Sequence, residues 1–444
     1  TDCGICGICG LGPGGGREFG LLVEDNVILR NAWVDVETLY ETGGIKTHNN
    51  VRCLIRRNLI ADTLHGPGIW MDWDNRFSRC SENAILRTAT MHGGIFVEAS
   101  FEPNLVAQNV DAVGDELAHE AFGPEVAQAI GLLQEQVDDA VDQGLDGIIV
   151  YVDQAGEAPA FYSAGWKNKL TQEPADPHAL FKIGSIHKLY IATAVAKLAS
   201  SGSLPLDDTL ADYLPELVGR IEYADQITLR MMVQHRSGIP NFTDHAEFDW
   251  FTPQTGEIDD LERVLDEPAD FEPDARYSYS NTNYLLIGRI LDKVLGYSHH
   301  QYVHSEILAP LGLKNTYFTL DEVEYDDVVS GYWSGYDDDL RFLGGSMIAT
   351  AEDVGIFLRA LNDGSLLNVN EQAIYSSIYE YEHTGWVPGY FSIARYYEDI
   401  DTVVIQFVNT TGGDTWGTAN VIGGKTTAIS NIVYSRIVKI LHRQ

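Results

Sequence analysis

The residues best placed to do chemistry are Ser185 and Lys188, in the run Ser185-Ile186-His187-Lys188 at the start of the helical stretch 189–200. Residues three apart on a helix share a face, so the Lys188 amine falls within reach of the Ser185 hydroxyl. A serine hydroxyl attacks a carbonyl well only when a base takes its proton. A lysine serves as that base once burial or nearby charge lowers its pKa. A nucleophile at a helix N-terminus also lies among backbone N–H groups, which stabilise negative charge as it develops. The chemistry implied is acyl transfer. Ser-x-x-Lys alone occurs on many surface helices, so its weight depends on what accompanies it.

Two further runs accompany it, in order. Tyr279-Ser280-Asn281 falls where a loop enters a helix, in Pro273-Asp274-Ala275-Arg276-Tyr277-Ser278-Tyr279-Ser280-Asn281, and His383-Thr384-Gly385 precedes a strand. Together with Ser-x-x-Lys they resemble the three motifs of the penicillin-binding protein and serine β-lactamase superfamily, Ser-x-x-Lys, Tyr-x-Asn and Lys-Thr-Gly. The resemblance spans roughly residues 120–444. The stretches 228–238, 310–316 and 344–353 are similar to class C β-lactamases and D-alanyl-D-alanine carboxypeptidases. It implies that Ser185 is the nucleophile and that Lys188 takes or relays its proton. It implies that Tyr279 is a second acid/base that protonates the leaving group, and that Asn281 orients Lys188 and the substrate. His383 and Thr384, with Gly385, would bind the substrate carboxylate. The backbone N–H groups of Ser185 and Trp386 would form the oxyanion hole.

The implied activity is a serine hydrolase with an acyl-serine intermediate, a D-alanyl-D-alanine carboxypeptidase-like peptidase or an esterase, with β-lactamase as the alternative. His383 stands where class C β-lactamases carry Lys. A neutral imidazole holds a carboxylate less strongly than an ammonium, which moves the expectation from a β-lactam towards a peptide or ester. His187, inside the first motif, reads as a helix-surface residue and is given no role. A reading from another class is a non-catalytic binding module joined to a carbohydrate-binding solenoid, and the intact Ser, Lys, Tyr and Asn argue against it. No cofactor is implied. No metal site is proposed, because Asp337-Asp338-Asp339 lacks the spaced ligands of a calcium loop.

The elements that must position these residues are legible in outline. Val126, Ile130, Leu133, Val137 and Val141 recur at three- and four-residue steps, which predicts an amphipathic helix after Pro124. Strands follow at 147–152 and 160–166, a mainly helical stretch runs from 185 to 361, and strands return at 390–396 and 402–408 before a helix over 427–442. The expected domain, 117–444, is α+β: a sheet built from both ends of its sequence, with an all-helical insert between them.

Residues 1–116 read differently. Gly-Ile steps recur at Gly44-Ile45, Gly68-Ile69 and Gly94-Ile95, and Asn31, Asn58, Asn83 and Asn109 recur at similar intervals of 24 to 27 residues. Short Val/Ile-rich stretches such as 51–55 and 95–98 lie between them. A period in the twenties with a fixed Asn suits a solenoid whose coils stack strand on strand. The segment resembles a short right-handed parallel β-helix of about four coils. The chain is therefore expected to be multidomain, this partial β-helix followed by the β-lactamase/transpeptidase-like domain. Family members of this kind include enzymes that cleave polysaccharides with outward acidic residues. Asp72, Asp74 and Glu98 are the corresponding candidates, but they read better as turn and outward strand positions. An uncapped solenoid end calls for a covering surface, either the hydrolase domain or a second chain, so a homo-oligomer through this segment is one expectation.

Composition sets the outer bounds. With 65 acidic against 29 basic residues the net charge is −36, which disfavours a nucleic-acid partner; the small-molecule or peptide substrate is what the family resemblance implies. Residues 1–116 hold nine Lys and Arg against sixteen Asp and Glu, so most of the excess lies in the larger domain. Such a charge repels itself in dilute buffer and is screened by salt. The melting temperature is accordingly expected to rise from low to molar salt, and a flat response would reduce the chain to an ordinary acidic protein. All five cysteines, Cys3, Cys6, Cys9, Cys53 and Cys80, precede residue 81, so no disulfide framework supports the larger domain. Cys3, Cys6 and Cys9 lack the fourth Cys and Pro of an iron–sulfur run and read as a frayed end. No apolar run approaches the roughly 20 residues of a membrane span. No leader is visible ahead of Thr1. That leaves a periplasmic or extracellular site if a signal peptide has been removed, and a cytoplasmic one otherwise.

Overall fold

The computed structural model describes residues 6–11, 22–24, 27–29, 43–48, 53–56, 59–63, 69–71, 78–81, 83–88, 95–97, 105–107, 110–112, 125–155, 157–252, 259–412 and 425–442. The chain divides into two compact units, Thr1–Pro124 and Glu125–Gln444. The boundary expected at 116/117 lies outside the described residues.

The first unit is built from short strands in three parallel four-stranded sheets, and each sheet takes every third strand in chain order. Strands Gly43–His48, Ile69–Met71 and Ile95–Val97 therefore stack in register, Ile45 on Ile69 and Ile69 on Ile95. A parallel stack needs this spacing, because each strand must travel one full circuit before it meets its equivalent. Val23, Ile45, Ile55, Ile60, Ile69, Cys80 and Ile85 meet in a dry interior. Asn83, itself buried, reaches from one coil to another: its Nδ2 donates to the Ile55 carbonyl at 3.1 Å. The other recurring asparagines, Asn31, Asn58 and Asn109, lie outside the described residues. Cys53 and Cys80 are buried thiols, and burial pushes both up to about 12. Cys6 and Cys9 fall in the strand Cys6–Leu11 rather than in a frayed end. Cys3, Asp72, Asp74 and Glu98 lie outside the described residues.

The second unit is organised by a six-stranded antiparallel sheet, in the order Glu173–Pro174, Ala160–Asn168, Gly147–Gln154, Thr402–Val408, Tyr390–Tyr397, His383–Val387. Its centre joins the two ends of the sequence, with Ile148 opposite Val408 and Val152 opposite Val404. Alternation then sorts the side chains into two layers. Ile148, Val150, Val152, Val404 and Val408 face a cluster with Leu133 and Val137 of the helix Glu125–Asp142 and Val433 and Ile437 of the helix Lys425–Leu441. Ile149, Tyr151, Val403, Ile405 and Phe407 face the larger cluster that the helical insert supplies. The helix His187–Ser200 runs through that cluster and is buried on almost every side, as its nearly continuous apolar sequence requires. The third motif does not precede a strand, as expected, but begins one: His383–Val387 is the sheet's edge.

Candidate active site

The position of Ser185 follows from a sharp change of direction. The strand Phe181–Lys182 pairs with Ile348–Ala349, the chain turns at Gly184, and a single 3-10 turn, Gly184–Ile186, leads into the helix His187–Ser200. Gly184 has φ +55°, a left-handed conformation that favours glycine. Space makes the same demand, since a Cβ there would lie 2.7 Å from the backbone nitrogen of Trp386. Across the gap a Cβ on Gly385 would sit 2.0 Å from the Ile183 carbonyl oxygen. Two glycines thus allow the backbone around Ser185 to touch the edge strand, and Ser392 Oγ ties the pair by donating to Ile183 O at 2.9 Å.

Around Ser185 Oγ the structure gathers the residues of the first two motifs. Lys188 Nζ donates to Ser185 Oγ at 3.1 Å and to Asn281 Oδ1 at 2.9 Å. Tyr279 OH donates to Ser185 Oγ at 2.7 Å. Asn281 is the first residue of the helix Asn281–Leu295, and its backbone N–H donates to Asn241 Oδ1 at 3.0 Å, which locks the loop before the helix. Lys188 is 1% exposed, and burial pushes its amine down to about 7. The rings of Tyr279 and Tyr284 lie 5.0 and 5.3 Å from Nζ and favour the charged form, but less than burial disfavours it. Burial raises the Tyr279 phenol above its ordinary value, so it keeps its proton at neutral pH. A half-neutral amine and a protonated phenol on one hydroxyl can take a proton at one step and give one at another.

The third motif lies alongside. His383 is ring to ring with Tyr279 at 6.3 Å and stacks parallel to Tyr379 at 6.0 Å. Burial, with a further push from Lys188, takes its imidazole down to about 4, so it is neutral at pH 7. Thr384 is exposed, and the amide of Trp386 faces Gly184 as described above. His187 corrects the surface reading: it is partly buried, its Nδ1 lies 2.9 Å from Gly184 O, and burial lowers its pKa to about 3. It pins the turn from inside the motif.

Residues 130–377, more than half of the chain, match the protein family described as Beta-lactamase. The chain belongs to that family. Among its relatives are penicillin-binding protein 4 of Amycolatopsis lactamdurans, 36% identical over 150 residues, 32% of this chain and 37% of the relative. A β-lactamase of Pseudomonas fluorescens is 29% identical over 211 residues, 46% of this chain and 55% of the relative. The chain thus aligns with roughly two fifths to a little over half the length of these relatives. Among solved structures, the D-amino acid amidase of Ochrobactrum anthropi SV3 bound to D-phenylalanine shares the fold. It has a TM-score of 0.60 and 22% identity, covering 71% of this chain and 99% of that one.

Three aromatic residues beside the site of this Beta-lactamase-family unit were not singled out by its sequence. His235 stacks on Tyr279, Tyr284 flanks Lys188, and Tyr379 covers His383. His235 belongs to the Gln234-His235-Arg236-Ser237-Gly238 run that carried part of the resemblance, but nothing in its spacing announces which neighbour it meets. The close approach of Gly385 has a measurable consequence. Gly385→Ala is expected to cost about 1–3 kcal/mol in urea unfolding, because the new methyl overlaps a backbone oxygen that cannot rotate away. The edge strand must shift from Ser185 to relieve it, and kcat should fall about 10-fold or more with it.

Proposed function

We propose that residues 117–444 form a serine hydrolase that passes an acyl group from an ester or amide to water through Ser185. The observation that carries this reading is the convergence of Lys188 Nζ and Tyr279 OH on one Ser185 oxygen, within hydrogen-bond distance of each. Neutral Lys188 takes the hydroxyl proton as Oγ bonds to the substrate carbonyl carbon. The charge on the carbonyl oxygen is met by the backbone N–H groups of Ser185 and Trp386. As the tetrahedral species collapses, the bond to the leaving oxygen or nitrogen breaks and Tyr279 supplies its proton. Lys188 returns a proton to Tyr279 across the site, which leaves an acyl ester on Ser185. Water repeats the attack, its proton going to the same pair and then to Ser185. Asn281 holds Lys188 in line throughout.

A D-alanyl-D-alanine carboxypeptidase-like peptidase or an esterase is the preferred activity, and hydrolysis of β-lactams is the alternative. His383 decides the order: neutral at pH 7, it offers a carboxylate a hydrogen bond without an ion pair. His383, Thr384 and Gly385 line the substrate along the edge strand. A carboxylate held by a neutral imidazole is bound less tightly than one held by an ammonium, which supports ranking a peptide or ester above a penicillin. The purified protein should hydrolyse a short-chain activated ester and a D-alanyl-D-alanine peptide with higher kcat/KM than a penicillin. No turnover of any of the three would end the hydrolase reading and favour a non-catalytic module.

For residues 1–116 we propose a short right-handed parallel β-helix, supported by the every-third-strand order of its sheets. Its stacked ends are the surface through which copies of the chain would associate. The strongly acidic balance supports a small-molecule or peptide partner over nucleic acid. Among the described residues no helix is long and apolar enough to cross a membrane.

A further inference from the structure

One buried residue is committed to Tyr279 on three sides and has no part in the chemistry described so far. His235 follows the short helix Leu229–Val233, is 1% exposed, and holds a left-handed conformation with φ +55°, uncommon among residues other than glycine. Its carbonyl oxygen accepts the Ser278 N–H at 2.8 Å. Its imidazole Nδ1 accepts the Ser280 N–H at 3.2 Å. Its ring stacks on that of Tyr279, centroids 4.3 Å apart and planes 26° off parallel. The residues before and after Tyr279, and the ring of Tyr279 itself, are therefore all held by His235.

The tautomer follows from these contacts. With Nδ1 accepting, the ring proton sits on Nε2, which is buried and has no acceptor among the described residues. A phenylalanine would fill the space without stranding a donor, so packing alone does not explain an imidazole here. What the imidazole adds is the acceptor at Nδ1. Rings of Tyr277, Tyr279, Tyr284 and Tyr379 surround it, at 5.8, 4.3, 5.3 and 6.4 Å. Burial, helped by Lys188 and His383, the basic groups that face it, takes its pKa down to about 3, so the acceptor persists through neutral pH.

We infer that His235 is a positioning residue for the hydrolytic reaction: as a neutral ring it clamps the 278–280 segment and aims the Tyr279 hydroxyl at Ser185. The inference rests on the serine-hydrolase reading given above. It predicts a loss confined to the step that Tyr279 serves, which is proton delivery to the leaving group. That step matters for a basic leaving group such as an alkoxide and hardly at all for nitrophenolate.

The test compares wild type, His235→Phe, Tyr279→Phe and the double variant on an alkyl ester and a nitrophenyl ester of one acyl group, with rates per titrated active site. His235→Phe should lose about 10- to 100-fold more kcat on the alkyl ester than on the nitrophenyl ester, with KM changed by no more than about 2-fold. The double variant should be no slower than Tyr279→Phe to within about 3-fold. Equal losses on both esters, or losses that multiply in the double variant, would reduce His235 to a structural residue. A measurement without turnover decides the same point: 15N-labelled wild type should show His235 as the neutral Nε2–H tautomer from pH 5 to 8. Titration near the ordinary 6.5, or the Nδ1–H tautomer, would overturn the clamp even if the hydrolase reading stood. If wild type turned over no ester, the hydrolase reading would fall, and the tautomer would still decide whether the clamp exists.

Discussion

Ser185→Ala is expected to lower hydrolysis of every substrate by about 10⁴-fold or more while leaving the fold intact. The hydroxyl is the only atom removed. Ser185 is half-buried in a turn whose shape is set by Gly184, by the Ser346 Oγ that accepts the Gly184 N–H at 2.8 Å, and by His187. None of these contacts uses the serine side chain, so the melting temperature should change by no more than a few degrees. Lys188, Tyr279 and Asn281 would remain in place with nothing to attack the carbonyl. Activity that survived the change to within 10-fold would show that the hydrolysis came from elsewhere in the chain.

Lys188→Met should be nearly as damaging, about 10³-fold or more, and the wild-type pH profile explains why. The amine can accept the Ser185 proton only when it is neutral. Burial brings its pKa down to about 7, so log kcat/KM should rise with unit slope below pH 7 and level off above it. An ordinary lysine would place the same limb above pH 10. Tyr279, raised by burial, should not close the plateau from the alkaline side within the range in which the protein is studied. The nearby imidazoles do not compete for the assignment, because His187, His235 and His383 are held at about 3, 3 and 4. A limb near pH 4 in the wild type would transfer the base role to His383. A limb near 7 that persisted at full amplitude in Lys188→Met would exclude Lys188.

Much of this was legible before any coordinates. The three-residue spacing of Ser185 and Lys188 implied the contact that the structure shows at 3.1 Å, and the order of the other two motifs pointed to Tyr279 and Asn281. The short apolar runs 147–152 and 402–408 read as strands, and they are two of the central ones, whose partnership across the sequence is the sheet's main seam. The environment was not legible. Whether Lys188 is a base depends on its desolvation, and that is a sum over side chains distant in sequence. His187 read as a surface residue because a single polar position at a helix start says nothing about the Tyr284 ring that lies edge-on to it at 6.3 Å. His235 was passed over for a related reason: its left-handed backbone and its neighbours appear only when the loop carrying it meets the segment before Asn281. In the first unit the repeat was visible from Gly-Ile and Asn alone, because stacked coils place equivalent residues on one another.

The most direct test of the central claim is the intact mass of the protein during slow turnover, followed by peptide mapping. After incubation with a fluorescent penicillin, a D-alanyl dipeptide and an activated ester, at least one should add the mass of its acyl group. The modified peptide should contain Ser185, and the adduct should be absent from Ser185→Ala. An adduct mapped to another residue, or turnover with no Ser185 adduct even when the reaction is quenched in acid, would contradict an acyl-serine mechanism.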